Sequence, residues 1–100
     1  MVTHIVLLKF KEGTTEDLKS ELQTGFKALE EAIPGIEKLS VGRNITQFNE
    51  GVNKDFDMIL NIEFTDLKAL EEYWPHPAHQ AVSALAAQVG ADDVLIVDYE

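Results

Sequence analysis

The sequence contains no cysteine, few basic residues and no long run of apolar residues. Without cysteine the chain has no disulfide, no thiolate metal ligand and no cysteine nucleophile, which favours a cytoplasmic protein. Eighteen acidic residues outnumber eight basic ones and give a formal charge of −10. That charge disfavours nucleic acid and anionic membranes as partners, because both require a positive face. No run approaches the roughly 20 apolar residues that span a bilayer, and the apolar start lacks the basic region and cleavage site of a signal peptide.

The pattern of apolar residues predicts one domain, residues 1–100, of the α+β class. Alternating or continuous apolar runs predict four strands, at residues 4–11, 36–45, 55–64 and 93–99. Helical spacing predicts an amphipathic helix within residues 14–33, with an apolar stripe made of Leu18, Leu22, Phe26, Leu29 and Ile33. Two further helices flank the proline at position 75, and residues 46–54 form a polar loop. The order β-α-β-β-α-β is that of a ferredoxin-like sandwich.

Helix boundaries are predicted from capping residues and prolines. Thr14 or Thr15 begins the first helix, and Asp66 caps the second through its carboxylate. Pro75 ends that second helix, because proline disfavours helical geometry at the residue before it. The last helix begins at or beside His76, with Pro77 in its first turn, and Gly90 serves as its C-cap.

The first and last strands are apolar on both faces, a pattern typical of a sheet that is covered on both sides. The predicted helices cover only one face. The other face carries Ile5 and Leu7, with Leu95 or Val97 beside them, and exposed apolar patches of this kind mark interfaces. We therefore expect a homodimer that forms through this face of the sheet.

The rarest side chains are concentrated in the segment YWPHPAH, residues 73–79. The chain has three histidines, two tyrosines and one tryptophan in all. His4 shares a strand face with Val6 and Leu8, which we expect to point towards the helices. A cavity between sheet and helices would then bring together His4, Tyr73 and His79. There, His79 could remove a proton from a carbonyl compound while Tyr73 polarises the carbonyl.

Other interpretations of the same residues remain open. The histidines could cap helices or bond the backbone, which would make the segment a structural corner between two helices. His76 and His79 could also share a metal ion with Glu72, although Pro77 lies between the two histidines. No glycine-rich phosphate loop, no G-x-S-x-G sequence and no H-E-x-x-H sequence is present, so nucleotide, serine-hydrolase and zinc-protease functions have no support.

Several stretches of this sequence resemble the stress-responsive dimeric α/β-barrel (Dabb) domain family. The resemblance rests on HIVLLKFK, IPGI, SVGRNIT, FDMILNIEF, YWPHPAH and VLIVDY, and it covers essentially the whole chain. It implies two ferredoxin-like subunits whose sheets close into a barrel. Olivetolic acid cyclase-like members of the family imply His79 as a base, Tyr73 as its assistant and His4 in the same cavity, without a cofactor. Phe26 stands where those members have a second tyrosine, so the same substrate is not implied.

The sequence therefore supports two hypotheses about function. The first is a stress-associated homodimer that binds a small apolar or aromatic molecule in each subunit. The second is a cofactor-independent lyase or cyclase in which His79, Tyr73 and His4 are the catalytic residues. We expect neither a metal nor a cofactor. The residues expected to contact the ligand in either case are Val6, Leu8, Phe26, Leu60, Trp74, His76 and Val82.

Overall fold

The computed structural model describes residues 1–46, 55–89 and 91–100 and confirms the ferredoxin-like α+β fold. Residues 47–54, most of the predicted polar loop, and Gly90, the predicted C-cap, lie outside the described residues. No helix in the described ranges is long and apolar enough to cross a membrane. The elements in chain order are β1 Val2–Phe10, α1 Glu16–Lys27, α2 Leu29–Ala32, β2 Ile36–Arg43, β3 Met58–Phe64, α3 Leu67–Tyr73, α4 Pro77–Gln88 and β4 Ala91–Tyr99.

The four strands form one antiparallel sheet in the order β2-β3-β1-β4. Strand β1 therefore has two neighbours, whereas β2 and β4 are the edges among the described residues. In this register His4 lies opposite Ile62 on β3 and opposite Asp98 on β4. Because side chains directly opposite each other point to the same face, these three residues lie on one side of the sheet.

The helices pack on a single face of the sheet, and the core lies between the two layers. Every second residue of β1 and of β3 is buried, as expected for strands that are covered on one face. The helical part of the core begins at Leu22 rather than at Leu18, which is 38% exposed. The buried residues on these elements are Val2, His4, Val6, Leu8, Phe10, Leu22, Phe26, Leu29, Ile33, Met58, Leu60, Ile62 and Phe64.

The predicted helix starts agree with the structure, while the first helix and the third strand differ in extent. Thr15 Oγ1 accepts a hydrogen bond from the Leu18 N–H at 3.2 Å, and Asp66 accepts one from the Ala69 N–H at 2.9 Å. The predicted first helix is divided at Ala28 into α1 and α2. Strand β3 begins only at Met58, because the Asp57 carboxylate and N–H bond the backbone of β1 directly, outside the regular ladder.

The turn at Gly35 gives a stability prediction with an internal control. Gly35 has a φ of +92°, and a Cβ there would lie 2.7 Å from the Cβ of Ala69. Gly13 has a φ of +90°, and a Cβ on that residue would meet nothing within 4 Å. We expect Gly13→Ala to lower the free energy of unfolding by about 1–2 kcal/mol through backbone strain alone. Gly35→Ala should lose about 1–3 kcal/mol more, because its methyl group also overpacks the helix.

Urea unfolding of the two variants beside the unmodified protein measures both losses. Equal losses for the two glycines would contradict the close approach of Gly35 to α3.

Candidate functional site

The corner between α3 and α4 is held by two histidine side chains. A helix that continued through this corner would bond the Trp74 carbonyl to the Ala78 N–H. Instead, that N–H donates to His76 Nδ1 at 3.0 Å, and the Trp74 carbonyl accepts from His79 Nδ1 at 3.0 Å. The side chains thus replace backbone hydrogen bonds at the end of one helix and at the start of the next.

These two contacts fix opposite tautomers. A backbone N–H can only donate, so His76 Nδ1 is the acceptor and its neutral ring carries the proton on Nε2. A carbonyl can only accept, so His79 Nδ1 carries the proton and its Nε2 has the lone pair. His79 is therefore positioned by the backbone and still has a basic nitrogen available.

The rings of His4, Tyr73, Trp74 and His79, which we call the aromatic cluster, lie in mutual contact. The ring centroids of Tyr73 and His79 are 4.3 Å apart, and those of Trp74 and His79 are 5.0 Å apart. His4 lies 5.5 Å from Tyr73 and 5.8 Å from Trp74, edge to face in both cases. Such distances are typical of favourable aromatic pairs. The structure thus brings together the three residues that were predicted to share one cavity.

His4 is buried and bonded to an acidic residue that the sequence analysis did not consider. Its side chain is 1% exposed, and its Nδ1 lies 2.5 Å from Asp98 Oδ1 on β4. The carboxylate accepts, so His4 Nδ1 carries a proton. His4 Nε2 is the opposite atom of the ring and has no hydrogen-bond partner within the described residues.

A cavity of about 100 Å³ adjoins the aromatic cluster, between the sheet and the helices. Its wall includes all three predicted catalytic residues and every predicted contact residue except His76. His76 instead caps α4 and lies outside the wall, because its Nδ1 is bonded to the Ala78 N–H. The lining residues are His4, Val6, Leu8, Phe26, Leu60, Tyr73, Trp74, His79, Val82, Ser83, Ala86, Val94 and Ile96.

Polar atoms of the aromatic cluster open on this cavity. Across the described ranges, no fully buried side-chain nitrogen or oxygen lacks a hydrogen-bond partner. Neither the Tyr73 hydroxyl nor His4 Nε2 is bonded to the described protein, so each atom keeps a small accessible surface although both side chains are only 1% exposed. Since both residues line the cavity, its wall combines a phenol and imidazole rings with mainly apolar side chains.

Burial adjusts the protonation of two of these groups. It lowers the pKa of His79 below its ordinary value of 6.5, an effect that the Trp74 carbonyl opposes and the nearby charge of His4 reinforces. Burial also raises the pKa of Tyr73 far above its ordinary value of 10.0. At neutral pH the site therefore contains a neutral imidazole, which can accept a proton, and a phenol that keeps its hydrogen.

The described part of the folded chain does not bring together the ligands that a metal site would require. In the part of the chain that the structure describes, no three histidine or carboxylate groups come close enough to hold an ion. His76 and His79 each use Nδ1 at the helix corner.

Sequence reasoning missed the part of the site that β4 contributes. Val94, Ile96 and Asp98 lie on its inner face, and Ser83 and Ala86 complete the wall from α4. The missing signal was the pairing of β1 with β4. Placing these two strands side by side in antiparallel order would have set Asp98 opposite His4 and Ile96 opposite Val6.

Comparison with known proteins decides the family. Residues 2–100 match the Stress responsive A/B Barrel Domain. This chain belongs to that family. Olivetolic acid cyclase from Cannabis sativa is 31% identical over 78 residues, which are 78% of this chain and 75% of the cyclase.

Solved structures of similar chains share this A/B barrel domain fold. A crystal structure of a protein from Arabidopsis thaliana superposes with a TM-score of 0.88 at 27% identity, covering 100% of this chain and 94% of that one. A protein from Bacteroides fragilis, described as dimeric with a ferredoxin-like fold, has a TM-score of 0.76 and 30% identity and covers 99% and 94%. The predicted family and fold are thereby confirmed.

The lowered pKa of His79 predicts a pH dependence of stability. The unfolded chain takes up a proton on this residue near pH 6.5, whereas the folded chain resists protonation until a lower pH. The free energy of unfolding should therefore fall as the pH drops below about 6.5, because the unfolded state then binds more protons. Replacing the residue, His79→Gln, should make this fall less steep.

Urea unfolding between pH 5 and 8.5, approximately, measures both slopes. Above about pH 7.5 the two curves should run parallel. If His79→Gln and the unmodified protein lose stability equally steeply below pH 6.5, approximately, the pKa of His79 is not lowered by folding.

Proposed function

We propose that this A/B barrel domain binds a small, largely apolar carbonyl compound in the cavity beside the aromatic cluster. The observation that carries the proposal is a cavity of about 100 Å³ whose apolar wall holds a phenol donor. Binding pockets for small molecules typically combine apolar walls with a few placed polar groups. The volume limits the enclosed part of the ligand to about one ring, since a cavity of roughly 150 Å³ holds benzene.

A second candidate function is catalysis of proton transfer on the bound compound. It is favoured by the tautomer of His79, whose Nδ1–H donates to the Trp74 carbonyl and whose Nε2 has the lone pair. His79 would take a proton next to the carbonyl, and Tyr73 would donate a hydrogen bond to the oxygen as negative charge develops there. This is the chemistry of a cofactor-independent lyase or cyclase, and the related Cannabis sativa protein is a cyclase.

A homodimer through the outer face of the sheet is part of the proposal. We use "outer face" for the side away from the helices, where Leu95, Val97 and Tyr99 of β4 are 46%, 51% and 55% exposed. Ile5 and Leu7 of β1 lie next to them in the sheet. Exposed apolar surface of this extent is typical of interfaces, and a related structure is described as dimeric. The absence of cysteine remains the support for a cytoplasmic location.

Cyclohexanone is a suitable probe of the cavity, because it is a small ring ketone with hydrogens next to its carbonyl. Trp74 is the only tryptophan and lines the cavity, so its fluorescence should change as the ketone is added. Tyr73→Phe should weaken binding by about tenfold, the equivalent of one hydrogen bond to the carbonyl. Tyr99→Phe, on the outer face, is the matched control and should leave binding unchanged.

Exchange of the cyclohexanone hydrogens next to the carbonyl for deuterium separates the two functions. It is monitored by proton NMR in deuterated water. If His79 is a base, exchange should be faster with protein than without it and should fall by about a hundredfold in His79→Ala. Binding without faster exchange would leave only the first function. Lack of binding by both cyclohexanone and the larger aromatic ketone acetophenone would contradict the proposed ligand class.

If the outer face is the dimer interface, introducing charged residues there should lower the mass of the protein in solution. The unmodified protein should sediment as a dimer, and the double variant Leu95→Lys with Val97→Lys should sediment as a monomer, because lysines there would be buried without partners. Leu67→Lys with Leu18→Lys is the control, since these exposed leucines lie on the helical layer. A monomeric unmodified protein, or a dimer that survives the outer-face lysines, would contradict this interface.

A further inference from the structure

The pair formed by His4 and Asp98 lies beside the group proposed as the base, yet the proposed proton abstraction does not use it. His4 is buried and sits in the wall of the cavity, while the side chain of Asp98 is 38% exposed at the edge strand. A buried histidine that needed only a structural partner could be bonded to any backbone carbonyl. Here the partner is a carboxylate that comes from a different strand, 94 positions away in the sequence.

Two consequences follow from the Nδ1 contact. The carboxylate holds the Nδ1 proton and leaves the other nitrogen, Nε2, without a partner among the described residues, on a side chain that lines the cavity. The negative charge of Asp98 also offsets a positive charge on the ring, as in histidine–carboxylate pairs of hydrolases. His4 Nε2 can thus serve as an acceptor when the ring is neutral and as a donor when the ring carries a second proton.

We infer that Asp98 is a positioning residue that makes His4 the second proton-transfer group of the cavity, opposite in role to His79. This inference rests on the catalytic form of the proposed function. His79 Nε2 would take a proton from a carbon next to the carbonyl, the electron pair of the broken C–H bond would form the new C=C bond, and the π electron pair of the C=O bond would move to the oxygen. His4, as imidazolium, would give its Nε2 proton to that oxygen and keep the electron pair of the N–H bond.

The charges balance in this step. Before the step His4 is positive and His79 is neutral, and afterwards His79 is positive, His4 is neutral and the ligand is a neutral enol. Tyr73 keeps its own hydrogen throughout, in keeping with its raised pKa. Exchange of each histidine with solvent restores the starting state, and the partly exposed Asp98 carboxylate lies on the solvent side of His4.

The first readout is the tautomer of His4, which does not depend on any activity. Long-range proton–nitrogen NMR spectra of nitrogen-15-labelled protein report the protonated nitrogen of each of the three histidines, and His4→Gln assigns the signal. We expect His4 Nδ1 to carry a proton in the unmodified protein, whether or not Nε2 carries one as well. The Nδ1 proton should stay there in Asp98→Asn, whose amide oxygen can accept the same bond, and should move largely to Nε2 in Asp98→Ala.

The second readout is the protein-dependent exchange of cyclohexanone hydrogens for deuterium. Asp98→Ala should slow it by about tenfold to a hundredfold, and Asp98→Asn should slow it by less because the ring orientation is kept. Asp93→Asn is the matched control, since this exposed residue is on the same strand, pairs with Lys9 and lies outside the cavity wall. It should exchange at the unmodified rate.

The outcomes separate this inference from the proposed function. A His4 whose Nδ1 carries no proton in the unmodified protein, or unmodified exchange in both Asp98 variants, overturns the role of Asp98. If the unmodified protein binds cyclohexanone without accelerating exchange, the catalytic function fails, and the proton-transfer role of His4 fails with it. The tautomer spectra then still decide whether Asp98 positions His4. Equal slowing by Asp93→Asn and Asp98→Ala would attribute the effect to β4 as a whole and would also overturn the inference.

Discussion

Strand β1 lies between β3 and β4, and its antiparallel register with both neighbours places all the strand residues of the site. The register sets His4 opposite Asp98 on one side and opposite Ile62 on the other. It also directs Val6 and Leu8 into the wall of the cavity and leaves Ile5 and Leu7 on the outer face. Because strand side chains alternate strictly, a shift of one residue in this pairing would move His4 out of the cavity and bring Ile5 in.

The helix corner shows that a structural role and a chemical role need not exclude each other. The prolines at positions 75 and 77 interrupt the backbone ladder, and His76 and His79 supply the missing hydrogen bonds through Nδ1. For His79 that bond is also what sets the lone pair on Nε2. Backbone requirements at a helix end thus determine which nitrogen a bound molecule would meet.

The parts of the fold that depend on local sequence and on the fold class could be predicted, whereas the residue-by-residue register between distant strands could not. A few consecutive residues determine each of three features: the alternation along β1, the caps at Thr15 and Asp66, and the proline-bounded corner. The contact of His4 with Asp98 joins the two ends of the chain, and no local pattern shows it. The same is true of the wall that β4 supplies through Val94 and Ile96.

His76 and Leu18 illustrate a second limit. Residue type and spacing placed His76 among the ligand contacts, but the capping bond to the Ala78 N–H takes its side chain away from the cavity. Leu18 fits the helical stripe in spacing, yet the layer beneath it does not cover the first turn of α1, and it stays 38% exposed. Spacing identifies a face of a helix, whereas only the packed neighbours decide how far along that face burial extends.

Strand β4 carries two interleaved sets of residues, with Val94, Ile96 and Asp98 towards the cavity and Leu95, Val97 and Tyr99 towards the outer face. Substitutions in one set leave the other set in place. As related sequences diverge, the outer face can therefore change residue by residue while the cavity wall is kept, and the reverse is equally possible. An insertion or deletion of a single residue within the strand would affect both sets, because every later residue would then point to the opposite face of the sheet. Divergence in this strand should therefore proceed by replacement at constant length.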